Sequence, residues 1–439
     1  MTAADQVAAE LAAVLGPGNV LGTGEQVEPY RRDATATLLG DPRLVVLPGT
    51  TEEVAAVVRI AAKHRAPIVP RGAGTGLSGG AVPPKGSIVV CLSRMDKVLE
   101  VDDRNFTLRA QAGAVTKAVQ DAAAKAGLFY PPDPGSMAQS TIGGNVAENA
   151  GGLHGLKYGV TGDYVMGLEV VLADGAICRL GGKCAKDVAG YDLLGLFVGS
   201  EGTLGIVTEV LLRLVPRPAA RQTFTASFAK MDSAAEAVSA VLAARLVPCT
   251  MEFMDRRTIR AVEEHTKAGL PTDAEALLLL EFDGHPAEVK EDCAKAARLC
   301  REGGAKSISV ARDAAEADAL ASARRTAFTA LAAAAPAAIL EDATVPRTEL
   351  GAMIRFIQVA ARRHRLDVAT FGHFGDGNLH PTFLADPRNP DEMGRVAAAK
   401  REIFEKALEL GGTITGEHGI GMSKKAYLGG QLGAAAMGL

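Results

Sequence analysis

The chain has no excess of positive charge. Its 47 Lys and Arg stand against 51 Asp and Glu, a net charge of −4. It also lacks a Lys/Arg tract interleaved with aromatics, and aromatic residues make up only 4% of it. Nucleic-acid binding, which depends on phosphate neutralisation and base stacking, is therefore excluded as a leading function. The densest basic cluster, Arg362-Arg363-His364-Arg365, closes a helical pattern and suits a helix C-terminus. No apolar run is long enough to span a bilayer. The longest uncharged stretch, Thr326–Leu340, has 15 residues and contains Pro336, against the roughly 20 that a span requires. No basic region followed by an apolar core opens the chain, so no secretory signal is expected. The six cysteines, at 91, 178, 184, 249, 293 and 300, form no CxxC pair. Zinc ribbons and iron–sulfur clusters thus lack ligands, and reduced thiols in a cytoplasmic protein are expected.

Against these absences stand 49 glycines in a chain of 439 residues, a length that suggests two or three domains. The glycines cluster at 72–80, 143–155, 199–205, 372–377 and 411–421. Clustered glycine marks backbone that approaches a ligand or takes positive φ. Between the clusters, strands are expected at 44–47, 68–69, 87–92, 106–110, 164–172, 176–180 and 206–214. Thr50-Thr-Glu-Glu53 is a capping box opening a helix whose Val54, Val57 and Val58 share a face. Pro216-Arg-Pro218 ends the first pattern. Beyond it, strands alternate with helices over 223–334, including one Ala-rich helix over about 313–334, so a second, helix-covered sheet is expected.

Arg71-Gly-Ala-Gly-Thr-Gly-Leu-Ser-Gly-Gly80 follows a strand and holds a GxGxxG match. It does not open a helix, as a dinucleotide-binding βαβ turn must. Its own amides are then what could cradle a phosphate. The bland alternative is a glycine turn without a ligand. Two further donor-rich loops, 131–152 and Gly199–Val207, make three in one domain. Three suit an extended dinucleotide, where one would suffice for a lone phosphate.

PRGAGTGLSGG, the TIGGNVAENAGG segment at 141–152 and GSEGTLGIVTE resemble the FAD-binding domain of the vanillyl-alcohol-oxidase superfamily. More narrowly, they resemble the bacterial glycolate-oxidase branch of the FAD-linked 2-hydroxyacid dehydrogenases. The resemblance covers about residues 25 to 422. It implies an α+β fold: a two-part FAD-binding (PCMH-type) domain at 41–218 after an N-terminal helical segment at 1–40, and an FAD-linked oxidase C-terminal, or cap, domain at 219–400. A helical segment at 401–439 is expected to return to the FAD domain. It also implies that Arg71, Gly72, Ala73, Gly74, Thr75, Gly76, Ser78 and Gly79 surround the FAD pyrophosphate. Pro132, Asp133, Ser136, Thr141, Gly143, Gly144, Asn145, Ala147, Asn149, Glu201, Gly205, Ile206 and Val207 are implied around adenine, ribose and isoalloxazine. The first loop has no histidine, so FAD is expected to be non-covalent. His64, in the preceding helix, reads as structural.

Phe371-Gly-His-Phe-Gly-Asp-Gly-Asn-Leu-His-Pro381 has turn residues between two alternating runs. With Gly375–Asn378 as the loop, Phe374 opposes Leu379 and His373 opposes His380, their Cβ atoms about 5 Å apart. Two imidazoles on one face can chelate one ion, although a chance cross-strand pair is the alternative. Gly416-Glu417-His418-Gly419 adds a carboxylate and an imidazole between glycines. His373, His380 and Glu417 make a two-histidine, one-carboxylate set that leaves coordination positions open. In a regular strand Glu417 and His418 would point apart. A backbone bent at Gly416 and Gly419 would bring them together. GHFGDGNLHP and GEHGIG also resemble the family's metal motifs, which implies His373, His380 and Glu417 as ligands and His418 as the base. Zn²⁺ is favoured, and Mn²⁺ and Fe²⁺ suit the same donors.

The reaction implied is oxidation of a small 2-hydroxy acid, glycolate or D-lactate, to the 2-oxo acid. The metal would lower the hydroxyl pKa, His418 would take its proton, and hydride would pass to the flavin. Arg324 aligns with the family's substrate-carboxylate arginine, with Arg325 as its rival, Arg347 a weaker candidate and a solvated helix arginine as the bland reading. Electrons would leave to a quinone, a cytochrome or an iron–sulfur partner. The family precedent is a complex with a second flavin subunit and an iron–sulfur subunit, peripheral on the inner face of the membrane. The resemblance implies roughly fifty residues beyond GEHGIG, closing over the flavin. This chain has 18 after Gly421, so a truncated tail is expected. D-2-hydroxyglutarate or D-lactate specificity, or a non-catalytic flavin-bearing scaffold subunit, are the alternative functions.

Overall fold

The fold is taken from a computed structural model that describes residues 3–22 and 24–439. The chain divides into two compact units. One comprises Met1–Gly151, Val160–Arg217 and Glu417–Ser423; the other comprises Gly152–Gly159, Pro218–Gly416 and Lys424–Leu439. The chain passes from one to the other at Arg217/Pro218, within the Pro-rich stretch. The described residues up to 40 belong to the first unit. The boundary expected at 400/401 falls inside the helix Pro390–Glu409. Of the segment 401–439, only Glu417–Ser423 joins the first unit.

The first unit holds two principal sheets. In one, Leu44–Val46, Ile88–Cys91 and Ile68–Arg71 run parallel, with Ile88–Cys91 between the other two. Val20–Leu21 adds an antiparallel edge. The helix Thr51–Lys63 starts where the sequence places it. The Thr50 side chain accepts the Glu53 amide, and Glu53 reaches back to the amide of Gly49 at 2.6 Å. Its Val54, Val57 and Val58 are buried. His64 caps its end and pairs with Glu10 at 3.2 Å. The second sheet is antiparallel and five-stranded, in the order Val98–Asp102, Thr107–Gln111, Ile206–Arg213, Val165–Val171, Ile177–Gly181.

The second unit is built on one large antiparallel sheet. Its order is Ala305–Val310, Ala220–Phe228, Ala276–Gly284, Thr250–Asp255, Asp367–His373, Asn378–Ala385, Ala337–Leu340, with Ala343–Thr344 also pairing Asn378–Ala385. Strands in the middle of such a sheet are covered on both faces, which is why Ala276–Gly284 reads as an almost unbroken apolar run. The Ala-rich helix expected over 313–334 is two helices, Ala314–Arg325 and Ala327–Ala333. Thr326 separates them. Its hydroxyl bonds back to the Ala323 carbonyl at 2.7 Å, competing with the helical ladder. The helix Leu350–His364 ends in the Arg362–Arg365 cluster, with Arg365 left-handed at φ 52°.

Candidate active site

The first glycine loop leaves the end of Ile68–Arg71. Among the described residues, no backbone N–H from Gly72 to Ala81 donates a hydrogen bond within the protein. The Ser78 hydroxyl is fully buried and has no hydrogen-bond partner among the described residues. A buried hydroxyl left this way costs free energy unless a ligand takes it, and the loop's amides, most of them half-exposed, are open to the same ligand. A pyrophosphate is an acceptor of the right kind, so the loop fits FAD. Arg71 lies beneath the loop and shapes it. Its guanidinium donates to the Pro29 carbonyl at 3.2 Å and stands over the Tyr30 ring. A Cβ on Gly74, which has φ +75°, would strike that guanidinium.

The other two loops meet in the same unit. Thr141 precedes the short helix Ile142–Glu148, and Gly143 packs against Ala112. Asn145, expected to touch the cofactor, is buried and donates to Thr116 Oγ1 at 2.7 Å, so its amide side chain serves the fold. Glu201 is likewise committed elsewhere. Its two oxygens accept the amides of Ile420 and Gly421 at 2.7 and 2.6 Å. The third glycine loop thus grips the GEHGIG segment. Gly419 takes φ +79° and turns that segment. Within it, His418 Nε2 and Glu417 Oε1 stand 3.7 Å apart, with both side chains largely enclosed. The bend expected of a Glu-His pair between glycines is present.

In the second unit the histidine hairpin differs in register from the expectation by two residues, with His373 opposite Asn378 and not His380. Asn378 pairs with His373, Leu379 with Gly372 and His380 with Phe371. The loop is therefore 374–377. Asn378 is drawn into the strand because it also pairs with Thr344, and its side-chain oxygen accepts the Thr344 hydroxyl at 3.0 Å. His373 and His380 become diagonal neighbours on one face. Their ring centroids lie 5.2 Å apart, edge to face, so the two imidazoles still converge.

Two buried carboxylates stand behind them that sequence reasoning did not single out. Glu252, in the strand Thr250–Asp255, meets His373 Nδ1 with one oxygen at 2.7 Å and Arg324 Nη2 with the other at 2.6 Å. Burial alone would raise its pKa, but the charges of His373 and Arg324 and the His373 hydrogen bond hold the carboxyl below its ordinary value. Arg324 also stacks over Phe371, its carbon 4.8 Å from the ring centre, and is 4% exposed. Asp342 lies 3.8 Å from His380 Nδ1. It gathers the Thr415 hydroxyl at 2.6 Å, the Gly416 amide at 2.9 Å and the Lys424 ammonium at 3.3 Å. The available signals were Glu252 between Met251 and Phe253 in an otherwise apolar stretch, and Asp342 two residues past the strand Ala337–Leu340. Arg325 is half-buried and Arg347 exposed.

Two family profiles match the chain: the FAD binding domain over residues 42–181 and the FAD linked oxidases, C-terminal domain, over residues 217–439. The chain belongs to the FAD-linked oxidases. It is 51% identical over 419 residues to the glycolate oxidase subunit GlcD of Bacillus subtilis (strain 168), covering 95% of this chain and 89% of that protein. It is 36% identical over 435 residues to a D-lactate dehydrogenase of Anaerostipes hadrus, covering 96% and 91%. Among solved structures it resembles p-cresol methylhydroxylase with substrate bound, at a TM-score of 0.82 and 18% identity over 99% of this chain and 92% of that one. The fold is accordingly the α+β vanillyl-alcohol-oxidase type. As an FAD-linked oxidase the chain is an oxidoreductase whose cofactor is FAD. Among the described residues, no helix is long and apolar enough to cross a membrane.

Proposed function

We propose that this FAD-linked oxidase oxidises a small 2-hydroxy acid, glycolate or D-lactate, to the corresponding 2-oxo acid with the help of a divalent metal. The similarity to a glycolate oxidase subunit and to a D-lactate dehydrogenase supports the substrate class. The observation that carries the reading is the His373–His380 pair, backed by the carboxylate of Glu252 at 2.7 Å. A carboxylate on Nδ1 fixes the tautomer and leaves Nε2 as a ligand, the arrangement that orients metal-bound histidines.

In this reading His373, His380 and Glu417 hold the metal, with Zn²⁺ favoured and Mn²⁺ and Fe²⁺ suited to the same donors. A metal held by these residues would supply Lewis acidity that lowers the pKa of the substrate's α-hydroxyl. His418 receives the hydroxyl proton as general base. Arg324 meets the substrate carboxylate; its planar fork offers five donors, and Glu252 faces Nη2 as a counter-ion at 2.6 Å. The amides of 72–81 and the Ser78 hydroxyl hold the FAD pyrophosphate, non-covalently because no histidine lies in that loop. FAD held there would supply the acceptor for the α-hydrogen, which would leave as hydride. Reoxidation falls to a quinone, a cytochrome, or a second flavin subunit with an iron–sulfur subunit that keeps the protein at the inner face of a membrane.

The test is anaerobic addition of glycolate, D-lactate and D-2-hydroxyglutarate to the FAD- and metal-loaded protein. Bleaching of the oxidised flavin band by one of them is expected. An unchanged spectrum with all three would leave a non-catalytic flavin-bearing subunit as the better account.

A further inference from the structure

A second cluster of metal-ligating side chains lies in the second unit, away from the histidine hairpin in sequence and different from it in chemistry. His154, Cys249 and Glu281 place a ring nitrogen, a thiol sulfur and a carboxylate oxygen all within 4.8 Å of one another. Cys249 is 1% exposed and Glu281 8%. His154 is half-buried. We propose that these three residues form a zinc-class metal site that fastens the segment Gly152–Gly159 to the large sheet.

The local structure sets up the site. Cys249 immediately precedes the strand Thr250–Asp255, and its amide donates to the Glu281 carbonyl at 2.8 Å. Cys249 Sγ then stands 3.8 Å from Glu281 Oε1. Zinc bonds of about 2.3 Å to sulfur and about 2.1 Å to oxygen, at the tetrahedral angle, put those donors about 3.6 Å apart. This pair is therefore close to a chelating separation already. The other oxygen of Glu281 accepts the Thr223 hydroxyl at 2.5 Å, which turns Oε1 toward the thiol. Such a bond to the ligating carboxylate is the outer support that metal sites use. Arg221 approaches Glu281 only to 4.0 Å, its guanidinium being paired with Asp318 at 2.7 Å.

His154 comes from the segment Gly152–Gly159, which is pinned without a metal. Lys157 meets the Asp283 carboxylate at 2.5 Å and Tyr158 donates to its other oxygen at 2.6 Å. Asp283 is two residues beyond Glu281 on the same strand, so the third ligand is held beside the other two. Sulfur, imidazole and carboxylate together select Zn²⁺ and its relatives over Ca²⁺ or Mg²⁺, which take oxygen alone. On binding, the thiol proton passes to solvent and a sulfur–metal bond replaces it. A fourth position stays with water. The hairpin histidines offer no sulfur, so ligation by Cys249 is spectroscopically separable from theirs.

The full chain, stripped with a chelator and kept reduced, is titrated anaerobically with Co²⁺ alone. A thiolate-to-cobalt charge-transfer band in the near ultraviolet should grow to one equivalent. It should vanish in Cys249→Ser, need more than tenfold higher Co²⁺ in His154→Ala, and persist in His373→Ala. Because Cys249 is buried, Cys249→Ser could fail to fold; His154→Ala, on a half-exposed segment, then decides. Absence of the band, its survival in Cys249→Ser, or an unchanged affinity in His154→Ala would overturn the proposal.

Discussion

Glu252 Oε1 and His373 Nδ1 are 2.7 Å apart on neighbouring strands of the large sheet, both shielded from water. The carboxylate fixes which imidazole nitrogen carries the proton, and so which one is left for a ligand. Glu252→Gln preserves the shape and removes the charge. Metal affinity should fall about 10–100-fold, the usual effect of losing such a partner, while FAD stays bound. Metal titration of the variant beside the wild type measures it. Equal affinities would reduce Glu252 to a structural counter-ion.

Arg324 shares that carboxylate, at 2.6 Å. Removing a charge-assisted pair to a buried carboxylate costs about 2–5 kcal/mol, so Arg324→Ala should raise KM for the hydroxy acid roughly 30-fold or more. Arg324→Lys, which keeps the charge on Glu252's side, separates substrate binding from stability. A KM unchanged in both variants would pass the anchoring role to Arg325.

Gly74 tests the phosphate cradle. An L-residue at φ +75° costs about 1–2 kcal/mol, and a Cβ there would displace the Arg71 guanidinium. Gly86, at φ +78°, has open space around it. Both Gly→Ala changes should lower stability by the backbone cost, and Gly74→Ala by more because Arg71 must move. Only Gly74→Ala should weaken FAD, by more than tenfold in a fluorescence titration of the apoprotein. Equal FAD affinities would mean that the loop tolerates distortion.

Asp255 gives the second unit a pH dependence. Burial pushes its carboxyl from 3.8 up to about 6, although it accepts the Thr258 and Thr370 amides. The folded chain therefore holds this proton more tightly than the unfolded chain. Its contribution to stability is full below pH 4 and is lost as pH rises through 6. At 1.36 kcal/mol per unit this amounts to about 3 kcal/mol. Asp255→Asn cannot ionise, so it should gain on the wild type by up to about that much between pH 4 and 7. Urea unfolding at both pH values checks it; a constant difference would show that the carboxyl titrates normally.

What could be read from the sequence were signals complete within one segment. The capping box at Thr50, the donor-rich loop after Arg71 and the Glu417-His418 bend are each set by a few neighbouring residues, and each is present. The histidine face was legible because side chains alternate along a strand. The register was not, because it depends on Asn378 pairing with Thr344, 34 residues away. Glu252 escaped for the same reason: its partner His373 is 121 positions distant. Glu201 sits in a motif that resembles a cofactor loop, and nothing local shows that its oxygens turn to the amides of Ile420 and Gly421.

The measurement closest to the central claim pairs metal content with anaerobic flavin-reduction rate in four variants. His373→Ala, His380→Ala and Glu417→Ala should each lose metal. His418→Ala should keep metal and FAD yet reduce its flavin about 10²–10⁴ times more slowly, with the defect easing as pH rises. Loss of metal in His418→Ala with retention in Glu417→Ala would reverse ligand and base, and four variants that all bind metal like the wild type would contradict the metal-assisted account.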